Sequence, residues 1–289
     1  MTPSSVSPVA TNPHSQRITL AIGTSTSVLR PRYCQNVGVT LASAGSTRVQ
    51  LCGPLVIERA GERLDARLPG RQGRLLFAYL ALNNHRSVPR TELTDAVWQH
   101  QPPAAVDTAL NALVSKMRSA LGADAIEGRS SLRLQLGAAW IDLEAAAEAI
   151  HRAESSIAQG DWARAWGPSQ VALFIAEREF CAGEAAEWID EQRRRLDEIH
   201  ERALESYAVA GLGIGGTEIA AAVRAARALT RRAPLRESGY RCLMQALAAQ
   251  GNAAEALRVY SDLCATLREQ LGVSPSASTR AVYEALVVA

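Results

Sequence analysis

Lysine is almost absent from this chain of 289 residues, in which Lys116 stands among 30 arginines. Long apolar runs are absent too, and none approaches the roughly 20 residues that a membrane-spanning helix needs. The first residues contain no compact apolar segment followed by a small-residue cleavage site, so we expect neither secretion nor membrane insertion. These absences predict a cytoplasmic protein.

Cysteine is scarce, odd in number and never arranged as CxxC. This spacing argues against both a zinc ribbon and a disulfide framework, and it favours thiols buried in a core. The five positions are Cys34, Cys52, Cys181, Cys242 and Cys264.

Motifs for catalysis or for a cofactor are also missing. The histidines form no HExxH motif and no pair with a cysteine at metal-ligand spacing, and GxSxG does not occur. The run "GLGIGG" at residues 211–216 matches GxGxxG, but it follows a helical segment rather than a strand. It therefore predicts a turn between helices rather than a dinucleotide site. We predict no enzyme activity, no cofactor and no metal site.

Charge divides the chain into three parts, although the net charge of +2 is nearly neutral. Residues 1–47 hold 15 serines or threonines and no acid, which predicts a disordered tail. Residues 48–140 carry a net charge of +4, and residues 141–289 carry −5. Any polyanionic partner is therefore expected to meet the front half.

Residues 48–140 follow the order of a winged-helix domain. The stretch "TRVQLCGPLVIERAGERLDARLPG" reads as short strands, and a helical period then begins at Arg71 and ends at Asn83. A second helix is predicted to be capped by Thr91 and closed by Trp98, and "AVDTALNALVSKMRSALG" forms the third. The stretch "AIEGRSSLRLQL" has apolar arms around a turn and predicts a β-hairpin, the wing.

From Asp142 onwards the chain is alanine-rich and helical in pattern. Gly160-Asp161, Gly216-Thr217 and Gly251-Asn252 each predict a left-handed glycine that ends one helix and a residue that caps the next. The last two junctions lie 35 residues apart, close to the roughly 34-residue tetratricopeptide period. Trp162, Trp166 and Trp188 are interpreted as packing anchors, and an interaction surface is the alternative.

The third helix, Val106–Leu121, has one apolar arc and one polar face. Its outward side consists of small groups with a cation on each shoulder, and no acid occurs from Thr108 to Ala123. Such a face suits a DNA groove, whereas a plain core helix with a bland surface is the alternative. The polar positions are Thr108, Asn111, Ser115, Lys116, Arg118 and Ser119.

Five further residues are candidates for DNA contact. Arg129 and Arg133 in the hairpin can follow a phosphate backbone or a minor groove. Arg86, Arg90 and Thr91 lie at the start of the second helix, where free backbone N–H groups favour an anion. For each of them an ordinary solvated surface residue is the alternative.

Two runs carry a resemblance to a known family. The run "GRQGRLLFAYLALNNHRSVPRTELTDAVW…PPAAVDTALNALVSKMRSALG" resembles the OmpR-type winged helix of the Streptomyces antibiotic regulatory protein family. The run from "AEWIDEQRRRLDEIHERALESYAVA" to "LREQLGVSPSASTRAVYEAL" is similar to that family's bacterial transcriptional activation domain. The resemblance covers about residues 48–287.

The resemblance implies a mainly α fold: a winged helix over residues 48–140, with three helices, an N-terminal sheet and a hairpin wing, then tetratricopeptide-like repeats over residues 141–289. It implies an activator that binds double-stranded DNA at direct repeats, self-associates there, recruits RNA polymerase holoenzyme and often controls a secondary-metabolite cluster. Such a protein is cytoplasmic and nucleoid-associated. Asn111, Ser115, Lys116 and Arg118 map onto DNA-facing positions, and the wing maps to about residues 128–132.

Two positions depart from the family pattern. Met117 replaces the usual leucine, a swap that nearly conserves volume. Leu113 stands where a polar or aromatic residue is frequent, and it could remove one DNA contact. The alternative function is therefore a tetratricopeptide-like interaction adaptor with a degenerate DNA-binding domain.

Overall fold

The computed structural model describes residues 47–288, and residues 1–46, including nearly all of the predicted disordered tail, lie outside the described range. The described part is mainly helical. Its strands are β1 (Thr47–Gln50), β2 (Val56–Arg59), β3 (Glu62–Arg63), β4 (Val88–Pro89), β5 (Ile126–Glu127), β6 (Ser131–Leu134) and β7 (Ala139–Ile141). Its helices are α1 (Gly70–Leu82), α2 (Arg90–Trp98), α3 (Val106–Leu121), α4 (Asp142–Ala158), α5 (Trp162–Ala176), α6 (Glu187–Ile214), α7 (Ile219–Arg232), α8 (Glu237–Ala249), α9 (Ala253–Leu271) and α10 (Ala277–Val288).

The N-terminal sheet has the strand order β3-β2-β1-β7. β1 pairs antiparallel with β2 and parallel with β7, so that Val49 lies beside both Ile57 and Ile141. All three side chains are buried, as expected for alternate residues on the inner face of a sheet. Thr47, which was assigned to the disordered tail, is instead buried in β1, because it pairs with Arg59 and Ala139.

The three helices of the front half are those that the sequence predicts. α3 spans the predicted residues, and Leu110, Val114 and Met117 of its apolar arc are buried. The predicted cap of α2 is wrong. Pro89 occupies the N-cap position, because β4 holds Val88 and Pro89 extended until the helix starts, and Thr91 is already inside the helix.

The predicted wing is a hairpin of β5 and β6, with Ile126 opposite Leu134. β4 pairs with the other edge of β6, which makes a three-stranded sheet. Gly128 begins the turn with a φ of 101°, and a Cβ placed there would lie 2.0 Å from the Ser131 carbonyl oxygen. Glycine is therefore required at this position.

Helices α4–α10 form the array of the back half. Of the three predicted junctions, the first is confirmed: Gly160 has a φ of 72°, and the Asp161 carboxylate accepts the Arg164 N–H at 3.0 Å. Thr217 does not cap a helix, because a short 3-10 turn over Gly216–Glu218 intervenes before α7. Asn252 occupies the N-cap position of α9 without a capping side-chain hydrogen bond.

The "GLGIGG" run lies at the end of α6, as a helix-to-helix turn requires. Gly211 and Gly213 leave room for two tryptophans of α5: an added Cβ would lie 2.9 Å from the Trp166 ring and 2.4 Å from the Trp162 ring. Trp166 also stacks on Tyr207, with ring centroids 4.1 Å apart. The glycines therefore serve tryptophan packing, and the element directly before them is α6 rather than the strand that a dinucleotide fold requires.

The front and back halves share one hydrophobic core, which we call the seam. Its apolar side chains come from both the winged helix and α4–α6. Asp142, the first residue of α4, is fully buried and accepts the N–H groups of Leu51 at 2.8 Å and Cys52 at 2.9 Å. The domain boundary predicted after residue 140 therefore falls inside β7, in the middle of this shared packing.

The loop between α5 and α6 and the first turn of α6 extend the seam, the loop along residues 51–53 directly after β1 and the turn beside α1 and α2. Gly53 donates its N–H to the Glu179 carbonyl at 2.7 Å, and Cys181 donates to the Leu51 carbonyl at 2.8 Å. Trp188 donates its indole N–H to the Ala96 carbonyl at 3.0 Å, and its ring meets that of Tyr79 edge-on. The loop therefore packs against the front domain through backbone hydrogen bonds, as an additional strand would.

The described cysteines are free thiols. Burial raises the pKa of Cys181 to about 12 and that of Cys242 to about 11, and it also raises the pKa of Cys52. These groups are therefore neutral core side chains at physiological pH. Within residues 47–288, no cluster of His, Cys, Asp or Glu is arranged to hold a metal ion, and no helix is both long and apolar enough to cross a bilayer.

Candidate nucleic-acid interface

The polar face of α3 is open to solvent. Thr108, Asn111, Ser115, Lys116 and Ser119 are all exposed. Ser119 donates its hydroxyl to the Ser115 carbonyl at 3.1 Å, which leaves the hydroxyl oxygen able to accept. No hydrogen bond or ion pair in the described part of the chain joins α3 to the helical array. The apolar arc of α3 is buried in the core, so the small polar side chains of the opposite face point towards solvent.

Lys116 projects from one shoulder of α3. It lines a shallow open pocket of about 410 Å³ together with Gln72 of α1, Trp98 at the end of α2 and Leu113. Within residues 47–288 its ammonium group has no ion-pair partner. Its charge is therefore available to an external anion.

Arg118, on the opposite shoulder, is directed to the wing. Its Nε donates to the Ile126 carbonyl at 3.0 Å, and its Nη2 donates to the Gly128 carbonyl at 3.2 Å. The guanidinium therefore spans the base of the hairpin and fixes the hairpin against α3. The sequence indicated a DNA-facing position, and the structure adds this internal contact, which periodicity does not reveal.

Arg90 joins the start of α2, the polar side of α3 and the wing turn, a surface that we call the reading face. It is the first residue of α2, and its Nη2 donates to Asn111 Oδ1 on α3 at 2.8 Å. Its Nη1 donates to the Arg129 carbonyl in the wing turn at 3.3 Å. The Arg129 side chain is exposed at the tip of the turn. The start of α2, the middle of α3 and the wing are therefore held together by one guanidinium.

Arg86 is paired inside the domain rather than presented to an anion. It forms a two-point ion pair with Glu92 of α2, and its Nε donates to Asn83 Oδ1 at 2.9 Å. Arg86 holds the pKa of Glu92 below its usual value, and burial together with a 2.6 Å hydrogen bond to Glu92 raises the pKa of Tyr79 to about 12. The positive charge of Arg86 is therefore neutralised by Glu92.

Arg133 is exposed, and within residues 47–288 it has a backbone carbonyl rather than a carboxylate as its partner. Its Nε donates to the Asn84 carbonyl at 3.0 Å, and the Asn84 side chain in turn donates to Glu144 of α4 at 3.1 Å. Thr91 is exposed in the first turn of α2. The structure therefore joins Arg90, Asn111 and the Arg129 carbonyl by hydrogen bonds, and it places the Arg133 guanidinium beside the loop that follows α1.

Sequence reasoning missed the residue that closes α3. Arg59 of β2 donates to the Leu121 carbonyl at 3.2 Å and so satisfies an unpaired acceptor at the helix end. No local pattern could indicate this contact, because the two residues lie 62 positions apart.

Comparisons with known proteins agree with this architecture. Residues 141–287 match the bacterial transcriptional activator domain, and residues 65–132 match the C-terminal domain of transcriptional regulatory proteins. The chain is 33% identical over 237 residues to the regulatory protein AfsR of Streptomyces griseus, covering 81% of this chain but 24% of AfsR. It thus spans about a quarter of that relative's length.

A shorter relative matches almost end to end. The chain is 28% identical over 253 residues to the regulatory protein DnrI of Streptomyces peucetius, covering 83% of this chain and 92% of DnrI. A solved structure of Mycobacterium tuberculosis EmbR, in complex with a low-affinity phosphopeptide, superposes with a TM-score of 0.73 at 22% identity and covers 84% of this chain and 65% of EmbR. That likeness concerns the fold.

The two domain matches occur in the order that the structure shows, with the winged helix first and the helical array second. The two relatives are named as regulatory proteins, and both domain families belong to transcriptional regulators. The chain belongs to the Streptomyces antibiotic regulatory protein family of transcriptional activators, with an OmpR-type winged helix followed by a bacterial transcriptional activator domain.

Proposed function

We propose that this chain activates transcription by inserting α3 into the major groove of specific promoter sites. The observation that carries the proposal is the exposed strip of Asn111, Ser115 and Ser119, which no acid interrupts from Thr108 to Ala123. Small side chains let a helix approach the groove floor, and their amide and hydroxyl groups can bond base edges.

Electrostatic attraction supports docking in this orientation. Lys116 and Arg129 are exposed cations without ion-pair partners in the described residues, and they flank the strip on α3 and on the wing. Each would neutralise one phosphate, so the affinity would fall as salt concentration rises. Arg118 contributes by holding the hairpin in place, the charge of Arg86 is neutralised by Glu92, and the exposed Arg133 of the wing is a further candidate for a phosphate contact.

The finer parts of the proposal rest on the family. We infer that the chain binds direct repeats, self-associates on them and recruits RNA polymerase holoenzyme through the helical array, and that its targets include a secondary-metabolite cluster. The seam supports a model in which the winged helix binds DNA and the helical array binds the polymerase, because α3 and the array share one hydrophobic core. We expect the protein in the cytoplasm, at the nucleoid.

A matched pair of variants tests the reading helix. Genome-wide footprinting of the tagged protein would first supply an operator. In a mobility shift on that operator, Ser115→Glu should weaken binding at least tenfold, because it places a negative charge in the groove. Ser261→Glu, at an exposed helical serine of α9, introduces the same charge far from α3 and should leave binding unchanged.

The alternative is an adaptor whose front domain no longer reads DNA. Leu113 and the modest charge of the front half favour it. If the wild-type chain gives no mobility shift at low salt on the promoters of its own neighbouring genes, and footprinting finds no sites, the adaptor replaces the activator. If Ser115→Glu binds as well as the wild type, α3 is not the reading helix.

A further inference from the structure

The Asn111 amide on α3 is held in one orientation by its neighbour. Arg90 has donors only, so the atom that it contacts at 2.8 Å must be the Asn111 oxygen. The Asn111 Nδ2 group therefore points away from Arg90. Asn111 is exposed and Arg90 is half-buried, so the free Nδ2 group is the part of the amide that a ligand on this face meets.

Arg90 is itself fixed, which makes this orientation persistent. Its second contact is the Arg129 carbonyl at 3.3 Å, and the wing turn that carries this carbonyl is held from the other side by Arg118. A planar guanidinium with two separate anchors loses little further freedom when DNA binds.

The fixed amide has a consequence for base recognition. Asparagine normally reads adenine with both ends of its amide, since Oδ1 accepts from N6 and Nδ2 donates to N7. Here one lone pair of Oδ1 accepts from Arg90, which turns the oxygen towards α2, so the outward end of the side chain offers the Nδ2 donors. In the major groove, guanine presents two acceptors, N7 and O6, at one edge.

We propose that Arg90 is a specificity-determining positioning residue, which orients Asn111 so that it selects guanine rather than adenine in the operator. This inference rests on the proposed function, because it requires α3 to read bases. It assigns Arg90 a role through Asn111 rather than a phosphate contact of its own.

The test is selection of binding sites from a random-sequence duplex library by the full-length protein. Asn111→Ala first identifies the base pair that Asn111 reads, as the position whose preference disappears. At that position the wild type should select guanine over adenine by about tenfold. Arg90→Ala should remove this preference or reverse it to adenine, and Arg90→Lys should do the same, because an ammonium lacks the planar fork.

Two controls separate orientation from charge and from folding. Arg129→Ala removes a cation from the same turn but keeps the carbonyl that Arg90 binds, so it should weaken binding at every sequence equally and leave the base preference intact. In the Asn111→Ala background, Arg90→Ala should cause no further change of preference. Thermal unfolding followed by circular dichroism should show each variant folded at the assay temperature.

The outcomes distinguish this inference from the proposed function. If the wild type selects a defined operator but Arg90→Ala keeps the guanine preference, or if the wild type prefers adenine at the Asn111 position, the inference is overturned and the proposed function stands. If Asn111→Ala alters no position, the inference is also overturned. If the wild type selects no sequence at all, both fall.

Discussion

The seam and the reading face are built on opposite principles. The seam is buried and mostly apolar, and its central polar group, Asp142, is fully buried and bonded to backbone N–H groups. The reading face is exposed, has small side chains, and owes its order to the Arg90 and Arg118 guanidiniums at wing carbonyls. The contrast indicates that folding and recognition depend on different residues, so each can be altered with little effect on the other.

The strongest way to break the seam is to remove the Asp142 carboxylate. Asp142→Ala leaves two buried N–H groups without acceptors, and we expect a loss of about 3–5 kcal/mol in the free energy of unfolding. Urea denaturation followed by circular dichroism measures this loss. Asp161→Ala removes a solvent-exposed helix cap instead and should cost only about 1 kcal/mol. Equal losses in the two variants would mean that Asp142 is not central to the seam.

The rim of the seam should be weaker than its centre. Glu184, with a side chain 9% exposed, pairs with Arg71 and Arg74 of α1. Glu184→Ala should therefore lower the free energy of unfolding by about 1–2 kcal/mol. Glu62→Ala breaks an exposed pair with Arg67, and the loss should stay below about 0.5 kcal/mol. DNA affinity per folded molecule should not change in either variant. A tenfold fall in affinity for Glu184→Ala would mean that the seam also determines DNA binding, so that the two regions are not independent.

Substitutions on the reading face should lower DNA affinity and leave the stability of the fold unchanged. Lys116→Ala removes one exposed cation, so we expect operator affinity to fall about fivefold and the slope of log affinity against log salt to lose about 0.9. Filter binding over a series of salt concentrations measures both quantities. Arg164→Ala removes an exposed arginine of α5 as a control. A change in the melting temperature of Lys116→Ala would show that this side chain also supports the fold.

Glu92 is bonded to residues associated with both regions, and the expected effect of replacing it is small. It accepts from Arg86, near the reading face, and from Tyr79, whose ring touches Trp188 in the seam. Its pKa lies below the ordinary value of 4.5, so its stabilising contribution is present above that pH and is lost as the pH falls through the folded-state pKa.

Glu92→Gln should accordingly cost about 0.5–1 kcal/mol at pH 7, because the pair is partly exposed. The difference from the wild type should shrink as the pH is lowered towards 3. Parallel urea denaturations at several pH values measure it. A difference that grows on acidification would contradict the sign of the pKa shift.

The local patterns predict the helices of the front half well because each has a strong period and clear ends. α3 has the predicted bounds, and its outward residues are the exposed ones, since an amphipathic helix can bury only one face. The "GLGIGG" turn was also predictable, because the residues before it are helical.

Contacts between distant residues could not be predicted in the same way. β7 was not identified, since three residues beside a parallel partner 92 positions away leave no periodic signal. The hydrogen-bond partners of the arginine side chains could not be predicted either. Periodicity places Arg118 on a shoulder of α3, but only the fold brings the wing carbonyls within its reach. Thr91 failed as a cap because the extended segment ends at Pro89 and α2 begins at Arg90, so that Thr91 is already the second residue of the helix.

The direct passage from Ile141 of β7 to Asp142 of α4 leaves no residue free to act as a hinge. A partner bound to the array would thus be presented at a set rotation about the DNA axis, dictated by where α3 lies in the groove. Inserting half a helical turn of DNA between operator and promoter would carry that partner to the opposite side of the duplex, and a full turn would bring it back.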